Sequence, residues 1–133
     1  MRKELTVVSE NKAGVLADVC HMLGHAGVNL EAISAQGEGN NGVIRLITSD
    51  PTTAEKLLKR GGYNVMAHDV IVIKINDSPG ELGKVTKALS KEGINLEAIY
   101  LLDKAKGVAH LALKPAGDIE QVRRLIKGSL AME

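Results

Sequence analysis

The chain has 133 residues, 17 basic side chains against 16 acidic ones, and only two tyrosines to represent Phe, Trp and Tyr together. Without a basic block or aromatic stacking surfaces, a grip on nucleic acid is not expected, and no apolar run approaches the ~18 residues of a membrane helix. Cys20 is the only cysteine and no secretory leader opens the sequence, so a cytoplasmic protein without disulfides is expected.

In chain order, residues 4–8 are apolar and β-branched and predict a first strand, which Asn11-Lys12-Ala13-Gly14 ends as a turn. Val15, Val19, Met22, Leu23 and Ala26 then recur at helical spacing, and Gly27 stops the helix. Residues 28–36 predict a second strand and residues 43–48 a third. Between them Gly37, Gly39 and Gly42 match the dinucleotide fingerprint letter for letter, but a strand follows where that motif needs a helix. A hairpin signalled by Asn41-Gly42 explains it better. Asp50-Pro51 opens a second helix that runs to Gly61-Gly62, and residues 63–66 predict a fourth strand.

The chain then repeats itself. Gly27-Val28-Asn29-Leu30-Glu31-Ala32-Ile33 returns as Gly93-Ile94-Asn95-Leu96-Glu97-Ala98-Ile99, and the same offset of 66 residues carries Gly14 onto Gly80 and Leu23 onto Leu89. A fixed period over such a span marks a duplicated unit. Strands at 70–75, 94–102 and 108–113 and helices after Gly80 and at 119–127 follow. A last strand at 129–132 completes the second copy only weakly. The halves are 1–67 and 68–133. A unit of that size buries only about 60% of its unfolded surface, so the halves are expected to pack together and on a second chain.

The order β-α-β-β-α-β is the split βαβ, ferredoxin-like arrangement, α+β in class. In its strand order, 4-1-3-2, the second strand lies at an edge, and joining two such edges would give one extended antiparallel sheet with helices on one face. The near-continuous apolar run 70–75 fits a strand covered on both faces.

The turns Asn11-Lys12-Ala13-Gly14-Val15-Leu16 and Asp77-Ser78-Pro79-Gly80-Glu81-Leu82, each followed after about thirteen residues by Gly-Val/Ile-Asn-Leu, resemble those of ACT domains. The resemblance spans the chain as a tandem pair. It implies a regulatory module that binds an amino acid or similar metabolite between two units. Carried across, Asn11, Ala13, Gly14, Val15 and Leu16 would face Asn95 and Leu96. Asp77, Pro79, Gly80, Glu81 and Leu82 would face Asn29 and Leu30. The copies depart from the pattern at Ala13, where Pro is common, and at Asp77, where Asn is.

The residues support a ligand independently. Each glycine lets a molecule approach backbone N–H groups at a helix start, which favours a carboxylate, and Asn11, Asn29 and Asn95 can both donate and accept. Asp77 can hold an ammonium. The competing structural reading is that these residues only shape and cap turns.

Neither metal nor cofactor is expected. His21 and His25 share a helix face but lack a third ligand, and Cys20 reads as a small packed residue. No Ser-His-Asp or Cys-His order or phosphate loop is present, and Glu31 and Glu97 are explained by a solvated strand face. The sequence therefore predicts a non-catalytic sensor, a homodimer through the uncovered sheet face, whose output passes to a partner such as a biosynthetic enzyme. The alternative is an accessory subunit of such an enzyme with no working ligand site.

Overall fold

The structure, a computed structural model, describes residues 2–127. The chain divides into two units, Lys3–His68 and a second from Asp69 on that includes Arg2.

The first unit runs β1 (Lys3–Glu10), α1 (Val15–His25), β2 (Leu30–Glu38), β3 (Asn41–Thr48), α2 (Pro51–Arg60) and β4 (Asn64–Asp69). Apolar periodicity positions both helices. Val19 and Leu23 of α1 and Ala54 and Leu58 of α2 are buried over Leu5 and Val7 of β1 and Ile44 and Leu46 of β3. Asp50 caps α2: its Oδ1 accepts from the Thr53 amide at 3.1 Å and its Oδ2 from the Thr53 hydroxyl at 2.6 Å. These bonds hold the Asp50 carboxyl below its usual pKa. The Tyr63 hydroxyl donates to Asp18, tying the start of β4 to α1, and that bond raises the Tyr63 phenol above its ordinary value.

The sheet order is β2-β3-β1-β4, the expected 4-1-3-2 arrangement with the second strand at an edge. The β2–β3 turn lies two residues earlier than Asn41-Gly42 suggested. Glu38 pairs with Asn41, leaving Gly39-Asn40 as a two-residue loop with Gly39 at φ 59°, while Gly42 pairs with Gly37 inside the ladder. Glycine first and a right-handed residue second is the II′ pattern, which matches strand twist.

The second unit runs β5 (Ile71–Asn76), α3 (Glu81–Lys91), β6 (Leu96–Ala105), β7 (Val108–Pro115) and α4 (Ile119–Leu125). Ile71, Ile73, Val85, Leu89, Leu111, Leu113 and Val122 form its core. Its sheet order is β5-β7-β6, the same 1-3-2 sequence of positions. The last strand expected at 129–132 lies outside the described residues. Val70 to Ile73 are all buried, as the unbroken apolar run implied. The described ladders are thus two, of four and three strands.

The copies diverge at one place in the second strand. Leu101 pairs with Leu111 and Asp103 with His110, so Leu102 is an inserted, unpaired residue, a β-bulge. The first unit has no counterpart there: Ala35, Gln36 and Gly37 pair in step with Ile44, Val43 and Gly42. From the bulge through β7 equivalent residues stand 67 apart, not 66.

One buried polar group stands out. Thr48, at the end of β3, is 5% exposed and its hydroxyl finds no hydrogen-bond partner among the described residues. An unmade bond at a buried hydroxyl costs roughly 1–3 kcal/mol. Thr48→Val is therefore expected to stabilise the protein by about 1 kcal/mol, raising Tm by about 4 °C for a chain of this size. A lowered Tm in a calorimetric scan would show that the hydroxyl is satisfied in solution.

Candidate functional site

Both units place the same apparatus at the end of their first strand. Gly14 and Gly80 sit at the N-caps of α1 and α3 with φ of 94° and 87°, a left-handed conformation that side-chain-bearing residues rarely adopt. Neither has a side-chain cap, and a Cβ built on either glycine would meet nothing within 4 Å. The helix starts so formed stand open above a hollow bounded by the first strand, the helix and the hairpin arm of the same unit.

In the first unit this hollow measures about 150 Å³ and is lined by Asn11, Val15, Leu16, Ala35, Gly37 and Ile44, among others. In the second it measures about 280 Å³, and its lining includes Asp77, Gly80, Leu82, Leu101, Lys104 and Leu111. These are nearly the same positions once the repeat and the bulge are allowed for.

The backbone latch is shared. The Asn11 amide donates to the Asn40 carbonyl at 2.9 Å, and the Asp77 amide to the Gly107 carbonyl at 2.9 Å, so each turn is tied to its own hairpin tip. The side-chain latch differs. Asn11 Nδ2 donates to the Gly39 carbonyl at 2.9 Å, and the side chain lies over Gly37, where an added Cβ would come within 2.5 Å of it. A carboxylate cannot donate to a carbonyl. Asp77 instead pairs with Lys104, 3.1 Å away, and Lys104 is the residue that occupies the Gly37 position after the bulge.

The remaining predicted residues are placed as follows. Ala13 and Pro79 are exposed turn residues that precede the N-cap glycines. Glu81 turns away from the hollow toward a neighbouring one of about 340 Å³, where it pairs with Lys84 at 3.1 Å. Asn29 and Leu30 open β2 at its other end. The Asn29 amide donates to Ser49 Oγ at 3.0 Å and its carbonyl accepts from the Ser49 amide at 2.9 Å, while Leu30 packs on the core. Asn95 likewise accepts from the Ala116 amide at 2.9 Å, and Leu96 packs on the second core. Within one unit, roughly 25 Å of strand separates Asn29 from the turn. The turn and the strand opening are therefore not brought together inside a unit.

Sequence reasoning missed Gly37 and Lys104. The fingerprint-like glycine spacing drew attention to the first for the wrong reason, and the bulge hid the second by breaking the 66-residue offset. The rings of His21 and His25 lie 6.3 Å apart. No group of three or more potential metal ligands occurs among the described residues, and no described helix is long and apolar enough to cross a membrane.

These features meet in comparisons with known proteins. The family model described as "ACT domain pair" matches residues 1–126. The chain belongs to that family. No curated protein matches the sequence. Among solved structures, protein BT0572 from Bacteroides thetaiotaomicron is 32% identical at a TM-score of 0.85, with 95% of this chain and 86% of that one covered. The ligand-free regulatory subunit of aspartate kinase from Thermus thermophilus is 16% identical at a TM-score of 0.71, with coverage of 96% and 91%. A structure of aspartokinase alpha and beta subunits gives 16% identity, a TM-score of 0.65 and coverage of 96% and 90%. At such identities the two kinase likenesses speak for the fold.

Proposed function

We propose that this protein is a sensor without chemistry of its own, which binds an amino acid or a similar small metabolite and signals through a partner protein or its own assembly. The observation that carries this reading is the duplicated glycine-led helix start, uncapped by any side chain and open above a hollow. Backbone N–H groups of the first turn and the helix dipole favour an α-carboxylate at such a place. Membership of a family of regulatory domain pairs supports the reading, as does the likeness in fold to a protein named as a regulatory subunit.

Because turn and strand opening lie at opposite ends of β2 and of β6, a site using both needs a second unit. We assign Asn29 and Leu30, and Asn95 and Leu96, to the neighbour's contribution. Ile33 and Ile99, exposed at equivalent positions of the edge strands β2 and β6, suit association into a homodimer. A ligand that bridges units stabilises one arrangement over others, and a partner, for example an amino-acid biosynthetic enzyme in the cytoplasm, reads that arrangement.

A thermal-unfolding screen of ligand-stripped protein against the twenty amino acids and common pathway end products tests this. A ligand at 100 times its dissociation constant should stabilise by about 2.7 kcal/mol, a shift of several degrees. A flat screen would overturn amino-acid sensing and leave an accessory subunit as the reading.

A further inference from the structure

We propose that the second unit's hollow selects an aliphatic amino acid as its zwitterion, with Asp77 receiving the ammonium group and Lys104, together with the open helix start, the carboxylate. The proposal rests on the sensor reading above and adds the ligand class and the repeat that binds it.

The hollow is built for both ends of such a molecule. Leu82, Leu101, Ala109 and Leu111 supply an apolar wall, and Asp77 and Lys104 are the only charged residues in the lining. These two stand 3.1 Å apart, with side chains 39% and 53% exposed. An ion pair that exposed is weak, so opening it costs little. A zwitterion inserted between the two charges replaces one ion pair with two and leaves net charge unchanged. A hydrocarbon side chain meanwhile leaves water for the leucine wall.

The first unit lacks this. At the positions of Asp77 and Lys104 it carries Asn11 and Gly37, and the Asn11 side chain fills the space over Gly37 while donating to Gly39. Its hollow has about half the volume. Glu10 and Lys12 also line it, but both lie on the strand-and-turn side, paired with each other at 3.1 Å, and the hairpin arm opposite presents no charge. The first turn is closed by its own hairpin, so the second carries the binding.

The test is titration calorimetry on the full chain with L-leucine, leucinamide, which lacks the carboxylate, and 4-methylpentanoate, which lacks the ammonium. L-leucine is expected to bind, and each analogue to bind about tenfold or more weakly, the loss expected for one charge-assisted bond. Asp77→Asn should weaken L-leucine to a similar extent and leave 4-methylpentanoate unchanged. Lys104→Gly should weaken L-leucine and leave leucinamide unchanged. A variant that merely disturbed the fold would weaken all three probes. Gly24→Ala, inside α1 and lining neither hollow, should leave L-leucine affinity within about twofold.

An acidic or small polar amino acid as the preferred ligand, or L-leucine binding indifferent to both variants or abolished by Asn11→Ala, would overturn this assignment while leaving a sensor. Absence of binding by any amino acid would overturn the sensor reading with it.

Discussion

Replacing Leu46 by alanine should cost about 3–5 kcal/mol, and Leu113→Ala in the second unit about as much. Both leucines have no exposed surface. They occupy equivalent places in the third strand of each unit: Leu46 pairs with Leu5 and Ile33, and Leu113 with Ile71 and Ile99. Each sits in a core of aliphatic residues on strands and two helices. Neighbouring side chains in such a core relax only in part, so the cavity left by three deleted carbons stays largely open. The loss is a large fraction of the ~5–15 kcal/mol by which proteins of this kind are stable. Urea unfolding followed by circular dichroism measures it, and a cost below about 1 kcal/mol at either site would mean that its core is loosely packed.

The second large effect concerns the two N-cap glycines. Gly14→Val and Gly80→Val should each cost about 1–3 kcal/mol, because a β-branched residue is forced to φ near +90°. The cost is one of backbone conformation alone, since a Cβ at either position meets no atom within 4 Å. Gly24→Ala is the control. It lies inside α1, outside the left-handed region and with the same open space, and it should stabilise by about 0.5–1 kcal/mol. If the ligand meets the helix start as proposed, Gly80→Val also removes the ligand-induced rise in Tm, whereas Gly24→Ala preserves it. Equal stability of wild type and both valine variants would show that the turns are not held as described.

Much of this was legible in the sequence, and for physical reasons. Both long helices were written in the spacing of Val15, Val19 and Leu23 and of Leu82, Val85 and Leu89, and their stops in Gly27 and Gly93, which take φ of 74° and 71°. Asp50 declared itself as a cap by preceding Pro51. The strand ends were less legible. Residues 37–38 and 103–105 carry no strand signal of their own and are extended because β3 and β7 supply the ladder. The site was legible as a pair of turns but not as a pair of latches. Which way Glu81 turns, and whether Asn11 spends its amide on the hairpin, depends on contacts between segments far apart in sequence. Periodicity carries no information about those. The inserted residue in β6 escaped notice because the motif match ends just before it.

The bulge at Leu102 decides which charge meets the second turn. Were Leu102 paired in step with His110 and not bulged out, Asp103 would stand opposite Ala109, where Lys104 now stands. An acidic group would then face the acidic Asp77, where a basic one now neutralises it. Absorbing the extra residue as a bulge thus keeps a basic group, and not an acidic one, against that turn. In a tandem pair, a one-residue bulge lets one copy lengthen its strand without changing which side chain meets its turn.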